Sequence, residues 1–436
     1  MWEMLGALAA LTGGGLYYRR FLKSQFWTDE IRQNHVGPML ERTLKDAARI
    51  PFYHQRFGNR VPMTLQDVPV LTRADIPLLN QDVRRLYPGR RFQAGRSSGS
   101  TGRPVEVLFD LSHQAHRFAA RARYLRAHGW TPARRSVWII SLPRGSADAR
   151  VIRVFRSLGV AFLSVFTPLQ EQLDWLRSYR PVYLYTYPSN LGGLLDLMDD
   201  DDTNGIGLKG LFCGGELLDE TTRRRAMEKL RLRIADNYGT TEAFLAWQCP
   251  AGSYHVNSEH VYLEVVREDG GPARPGELGR VLITTLNNHV MPLVRYEIGD
   301  YAQATDQACG CGRTLPTLGK IVGRSIDLFR LPSGQLISPW NLVVRIKFLP
   351  QLQQFQIVQK SLDRCVLRYV SNNGLTPEDR TSITCKFAEV LGQGVRIDFE
   401  PTDKIRRSAS GKFMTAFSEV NQQTQSEQPL LPARTE

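Results

Sequence analysis

The chain has 436 residues, 42% of them hydrophobic and 23% charged, with a formal charge of +13. That length provides for two or three domains with real cores, and the balance excludes wholesale disorder, a collagen-like fibre and a polytopic membrane protein. The positive charge favours anionic ligands or surfaces, but it is spread over short runs such as Arg223-Arg224-Arg225, with no aromatic-interleaved basic stripe, so no nucleic-acid partner is expected.

Residues 2–18 are mostly apolar and run into Arg19-Arg20 and Lys23. The charge follows the apolar stretch, the reverse of a secretory signal, and the stretch is short for a membrane span. Two readings fit equally: an interfacial anchor with its basic flank on anionic lipid at the inner membrane face, and a helix packed on the protein body. Residues 28–48 read as an amphipathic helix, with Ile31, Val36, Met39, Leu40, Leu44 and Ala47 at helical spacing. Thr72 and Asp75 have capping-box spacing. Strands are expected at 105–108, 137–142, 160–166, 182–186, 211–213 and 233–235, with helices at 113–128 and 148–158. The alternation predicts α/β units around a parallel sheet.

The texture changes near residue 255. Residues 261–266, 279–284 and 293–296 read as strands joined by Gly-Pro turns, an antiparallel β subdomain. Beyond Gly323, strand patterns at 354–359, 365–370 and 395–399 flank a helix begun by Thr376-Pro377-Glu378. The tail from Asn421 is polar and expected to be disordered. The expectation is an α/β protein with an apolar segment at 1–27, a large domain at 28–325 and a small α+β domain at 326–420 joined through a hinge.

Six short motifs carry chemistry. Ser97-Ser98-Gly99-Ser100-Thr101-Gly102-Arg103-Pro104 places three serines, a threonine, two glycines and a cation in eight positions. Such a loop turns its backbone N–H groups onto an anion. Tyr238-Gly239-Thr240-Thr241-Glu242 offers an aromatic face for a base and a carboxylate beside hydroxyls, which suits Mg²⁺. Upstream, Gly214-Gly215-Glu216 closes another strand with bare backbone. Asp300 follows a glycine and has the reach to accept both hydroxyls of a ribose. Gly323-Arg324-Ser325-Ile326-Asp327 sits at the texture boundary, and Ser408-Ala409-Ser410-Gly411-Lys412 is a flexible turn that presents one lysine.

In this order and spacing the motifs resemble the adenylate-forming, or acyl-activating, superfamily, and most of all its phenylacetate–CoA ligase-like branch, which includes proteins associated with capsular polysaccharide synthesis. Pro51-Phe52-Tyr53 and Leu71-Thr72-Arg73-Ala74-Asp75-Ile76 ahead of the hydroxyl-rich loop follow that branch's order, and the similarity runs over residues 28–420. The resemblance implies that Ser97, Ser98, Gly99, Ser100, Thr101, Gly102 and Arg103 wrap the triphosphate of ATP. It implies that Gly214, Gly215 and Glu216 line the adenine pocket, that Tyr238 packs on adenine beside Gly239 and Thr240, and that Thr241 contacts phosphate. Glu242 would hold Mg²⁺, Asp300 the ribose with Arg324 nearby, Asp327 would be the hinge, and Lys412 would bridge carboxylate and phosphate. The loop departs from the usual Thr-Ser-Gly-Thr-Thr-Gly-Lys-Pro, and Arg406-Arg407 replaces the usual Pro-Arg.

Six cysteines are too few for a disulfide scaffold and suit a reducing, cytoplasmic setting. Cys249, His255, Cys309 and Cys311 stand apart from the other three: three thiols and an imidazole suit a closed, tetrahedral, structural Zn²⁺. Some members of the branch carry such a zinc. The expected activity is ATP-dependent ligation of a carboxylic acid to coenzyme A. The alternatives are transfer to a non-CoA acceptor and a silent nucleotide-binding partner. Tyr187-Pro188-Ser189 and the segment at 141–145, with Arg144, are the expected walls of the acid pocket.

Overall fold

The computed structural model describes residues 14–58, 60–96, 105–132, 134–141, 159–324, 329–333, 336–337, 339–346, 349–371, 373–405 and 415–420. They divide into two compact units that part at Ile321–Val322, with residues 299–301 grouped with the second.

The first stretch of chain holds α1 (Gly14–Ser24), α2 (Asp29–Ala48), α3 (Pro51–Arg56), α4 (Ile76–Leu86), the hairpin β1 (Gln93–Arg96) and β2 (Glu106–Phe109), and α5 (Leu111–Ala127). Next come β3 (Ser136–Ile140), β4 (Val160–Ser164), α6 (Leu169–Tyr179), β5 (Tyr183–Thr186), α7 (Pro188–Leu197), α8 (Asp200–Gly205), β6 (Gly210–Gly214), α9 (Glu220–Leu230) and β7 (Ile234–Gly239). Strands then follow without helices: β8 (Phe244–Gln248), β9 (Tyr254–Val256), β10 (Val261–Val266), β11 (Leu278–Thr285), β12 (Tyr296–Gln303), β13 (Thr317–Leu318) and β14 (Ile321–Arg324).

Local chemistry sets several boundaries. Thr28 stays extended and its hydroxyl accepts from the N–H of Ile31, which starts α2. Val36, Leu44 and Ala47 are buried as the spacing predicts, but Ile31 faces solvent. Arg32 takes the inward place because its guanidinium donates to the Thr314 carbonyl. The Asp75 carboxylate accepts from the Thr72 N–H at 2.7 Å, so the expected capping box is present.

The main sheet has eight strands in the order β13-β9-β8-β7-β6-β5-β3-β4. From β4 to β7 the pairing is parallel; β8, β9 and β13 add on antiparallel. The strands expected at 137–235 all lie in the parallel part, whereas the one expected at 105–108 pairs antiparallel in the β1–β2 hairpin. Successive residues of β6 face opposite sides: Leu211 and Cys213 join α6, α7 and α9 in one core cluster, and Phe212 joins α1 and α5 in another. A second sheet runs β10-β11-β12-β14. Residues 293–295 are not a strand, contrary to expectation. Arg295 takes φ +47°, its carbonyl accepts from Leu71 and its N–H donates to the Thr284 hydroxyl, so the strand begins only at Tyr296.

The second unit contains β15 (Phe329–Arg330), β16 (Leu336–Ile337), α10 (Trp340–Ile346), β17 (Gln354–Ser361), β18 (Arg364–Val370), α11 (Pro377–Leu391), β19 (Arg396–Pro401) and β20 (Ala416–Ser418). Its sheet runs β19-β18-β17-β20. Thr376 and Asp379 cap α11 reciprocally, and α11 links β18 to the parallel β19. Ile357, Leu367, Ile383 and Phe387 fill its core. The expected helix at 148–158 and the expected tail from Asn421 lie outside the described residues.

Candidate active site

Ligands of open α/β sheets bind beyond the carboxyl ends of the parallel strands, and two of the motifs meet there. β6 and β7 pair with Gly214 opposite Asn237. The turn Gly214-Gly215-Glu216 therefore leaves the sheet beside the end of β7 and the hairpin that follows it, although Glu216 and Tyr238 are 22 positions apart in sequence. Glycine is required at 214, since a Cβ there would collide with the Asn237 amide. Gly215 takes φ +82°, a conformation open to glycine. The Glu216 carboxylate accepts from the Ser189 N–H at 2.9 Å, and the Ser141 N–H donates to the Tyr187 hydroxyl at 3.2 Å. The expected wall segments after β3 and β5 thus share this edge with the glycine turn. Arg144 lies outside the described residues.

Tyr238 is the buried penultimate residue of β7, not part of a turn after it. The chain then folds back into β8: the Thr240 N–H donates to the Ala243 carbonyl at 2.9 Å. Glu242, at the tip of this hairpin, is only 5% exposed. Among the described residues no cationic side chain pairs with its carboxylate. A carboxylate oxygen pair beside threonine hydroxyls is a donor set that suits Mg²⁺.

Sequence reasoning missed what holds this hairpin. Arg117 on α5 donates to the Thr241 carbonyl at 3.0 Å and the Thr240 carbonyl at 3.1 Å. One turn earlier, His113 is fully buried, stacked on Phe109 with centroids 4.8 Å apart and 4.7 Å from the His260 ring. Burial, then the Arg117 guanidinium, push its imidazole far below the ordinary value, against a pull upward from the Glu242 backbone. It is therefore neutral. The spacing of His113 and Arg117, four apart on one helix, was the available signal. Phe109 and Thr241 also close on Gly95, where a Cβ would sit 2.7 Å from each.

Asp300 is buried in the middle of β12, after Gly299 at φ +83°. Arg324 ends β14. The hydroxyl-rich loop from Ser97 to Arg103, the hinge residue Asp327 and the lysine Lys412 lie outside the described residues.

Cys249, His255, Cys309 and Cys311 come together, with one ligand atom from each lying within 4.8 Å of all the others. Cys249 follows β8, His255 is on β9, and Cys309-Gly310-Cys311 is the turn before β13. The His255 Nδ1 faces the Leu315 carbonyl at 3.2 Å, and Nε2 faces the Cys311 sulfur at 3.3 Å. That arrangement leaves Nε2 to the cluster. Against the upward push of burial, hydrogen bonds with Ser253, Cys311 and Cys249 bring the Cys309 thiol down to about 7. Tight clustering, three thiols with an imidazole and an outer partner for that imidazole all fit a zinc site.

Residues 97–292 match the family of AMP-binding enzymes, and residues 329–419 match the CapK C-terminal domain. The chain is 27% identical over 431 residues to a phenylacetate-coenzyme A ligase of Thermus thermophilus, covering 91% of this chain and 90% of that one. It is 26% identical over 380 residues to the phenylacetate-coenzyme A ligase of Escherichia coli, covering 79% and 84%. The crystal structure of 2-hydroxyisobutyryl-CoA ligase, in the postadenylation state with 2-HIB-AMP, shares the fold with a TM-score of 0.71 at 20% identity, over 93% of this chain and 96% of that one. Among the described residues no helix is long and apolar enough to cross a membrane.

Proposed function

Because the chain is an adenylate-forming, AMP-forming ligase of the phenylacetate–CoA ligase-like kind, we propose that it activates a carboxylic acid with ATP and Mg²⁺ and passes the acyl group to the thiol of coenzyme A. The observation that carries this reading is the adjacency of the Gly214–Glu216 turn and the end of β7, with its Thr240–Glu242 hairpin, at the carboxyl edge of the sheet. Acid, ATP and acceptor thiol are the substrates of that reaction.

A carboxylate at pH 7 is already ionised and needs no general base to attack the α-phosphorus. What needs stabilising is negative charge on the phosphoryl oxygens. When bound, Mg²⁺ would supply most of that. Glu242 would hold it, Thr241 would contact phosphate, and Ser97 to Arg103 would surround the triphosphate with N–H and hydroxyl donors. Tyr238 would pack on adenine, with Gly214 to Glu216 forming the pocket wall. Asp300 would accept the ribose hydroxyls beside Arg324. Lys412 would sit between carboxylate and phosphate for the first half-reaction. The hinge at Asp327 would then carry the small domain away for the second.

The test is acid-dependent pyrophosphate release over aryl, fatty and amino acids, with and without coenzyme A. The expected result is one acid class that releases pyrophosphate and accumulates its CoA thioester. Pyrophosphate release with no thioester, but with a hydroxamate and AMP formed on added hydroxylamine, would show the acyl-adenylate made without transfer to coenzyme A and move the acceptor to a non-CoA nucleophile. No acid-dependent release at all would defeat the reading.

We also propose that Cys249, His255, Cys309 and Cys311 hold one structural Zn²⁺, which would staple the end of β8 to the turn before β13. Four protein ligands leave no open position for catalysis. Metal analysis of the purified chain should find about one zinc per chain, and chelation should lower the thermal midpoint while leaving the nucleotide turns chemically intact. Well under one zinc per chain with no loss of stability on chelation would remove the site.

A further inference from the structure

The N-terminal helix carries a feature that catalysis leaves unused. One stripe of α1, Tyr17, Phe21 and Ser24, turns inward. The Tyr17 ring lies 4.0 Å from His116, Phe21 is 1% exposed, and its carbonyl accepts from buried Arg123 at 3.1 Å. The opposite stripe, Leu16, Arg19, Arg20 and Lys23, faces solvent and continues past the helix end into Phe26. Leu16 is 76% and Phe26 53% exposed, among the larger apolar exposures in the chain.

The stripe is also rigidly mounted. The Thr314 N–H donates to the Gln25 carbonyl at 2.9 Å, its hydroxyl to the Trp27 carbonyl, and Arg313 to the Gln25 side chain at 2.9 Å. Arg313 sits 5.9 Å over the Phe26 ring, and Arg20 5.8 Å over the Trp27 ring. The nearest acids in sequence are Asp29, which pairs with Arg32, and exposed Glu30. Among the described residues neither Arg19 nor Lys23 meets a carboxylate. Ahead of the stripe, residues 2–13 contain one charged side chain, Glu3, and seven of the larger or smaller apolar kinds from Met4 to Leu11.

We propose that this stripe, with Phe26, docks the enzyme on an anionic lipid bilayer. Exposed basic side chains interleaved with aromatic and aliphatic ones are what an interfacial helix presents: the cations meet the headgroups and the apolar groups enter the acyl boundary. Lipid is favoured over a second copy of the chain because a stripe with three cations opposes its own image, whereas a bilayer supplies the opposite charge. The helix lies along the surface without spanning it. This inference does not rest on the ligase reading, because it concerns a face that no proposed substrate touches.

The experiment uses the full chain and sucrose-loaded vesicles of phosphatidylcholine with about a third phosphatidylglycerol, or of phosphatidylcholine alone, at low and high salt. Binding is expected to the anionic vesicles only, and to weaken as salt rises. Arg19→Glu with Lys23→Glu should reduce it about a hundredfold, and Leu16→Asn should reduce it further. Thermal midpoint and pyrophosphate release should be unchanged, since none of the three side chains is buried. Absence of vesicle binding overturns the proposal, as does equal binding to both vesicle types or binding indifferent to the charge reversals. Self-association that the same variants abolish, without lipid binding, would assign the stripe to a second copy and overturn it as well.

Discussion

Replacing Glu242 by alanine should slow acid-dependent pyrophosphate release about 10²- to 10³-fold, the usual effect of losing an electrostatic stabiliser of a phosphoryl transition state. Displacement at phosphorus, with pyrophosphate departing, belongs to the first half-reaction; the second attacks the acyl carbon and releases AMP. Transfer to coenzyme A from supplied acyl-adenylate should therefore be spared. Glu242→Gln keeps the shape of the hairpin and should fall nearly as far, with a raised Mg²⁺ requirement. The thermal midpoint should hold, because Arg117 grips the carbonyls of Thr240 and Thr241 rather than the Glu242 side chain. Running the half-reactions separately decides the matter: equal losses in both, or none in the first, would sink the metal role. Lys412→Ala should show the same split.

Arg123→Leu should cost about 3–5 kcal/mol of stability, the usual consequence of removing one partner of a buried ion pair. Arg123 is 0% exposed and reaches both oxygens of Glu259, at 2.6 and 3.1 Å, and also the Asn257 side chain at 2.7 Å. Ser24 adds its hydroxyl to the same carboxylate. Burial pushes the Glu259 carboxyl up, but the Arg123 charge and these hydrogen bonds outweigh it and hold the group below its ordinary 4.5. A depressed carboxyl contributes stability that is complete above the unfolded value and is lost as pH falls through the folded one. Wild type should thus lose this contribution below about pH 4.5. In the variant burial is opposed only by the Ser24 and backbone hydrogen bonds, Glu259 tends to bind a proton on folding, and the deficit should shrink as pH falls. Adding Glu259→Gln should restore much of the loss. Denaturant melts of the single and double variants across pH 4 to 8 test this, and a deficit below about 1 kcal/mol at pH 7 would mean the pair is solvated.

What the sequence revealed and what it hid differ in kind. Thr72 announces its element because a cap is a contact over three residues, and it caps as the spacing predicts; Thr28 and Thr376, read only as helix starts, cap theirs too. β8 was invisible: Phe244, Leu245, Ala246 and Trp247 are buried on both faces, so no alternation marks the strand. β12 was hidden because Gly299-Asp300 in its middle reads as a turn. The motifs at Gly214 and Tyr238 were legible one by one, whereas their adjacency depends on the β6–β7 register. His113 and Arg117 share a helix face by their spacing, but what they hold stayed hidden, since His260, Thr240 and Thr241 lie more than 100 positions away. The cysteine–histidine set was found from donor types alone, and its convergence is a property of the fold.

One feature of α5 bears on how such an enzyme can be re-engineered. The helix grips β7 at both ends: Tyr124 donates to the Ala235 carbonyl at 2.8 Å, and Arg117 holds Thr240 and Thr241. The segments after β3 and β5, beside the glycine turn, belong to strands whose Val137, Ile139 and Leu184 pack with α6 and α7 in a different cluster. Their other face, Tyr183 and Tyr185 with Trp138, packs on α5, so the two parts share strands but differ in what they hold at the sheet edge. Libraries confined to residues near Ser141 and Tyr187 should shift acid preference without unsettling the reactive hairpin. Changes along the inner face of α5 would disturb every substrate alike, and directed evolution for new acids would do well to leave that helix untouched.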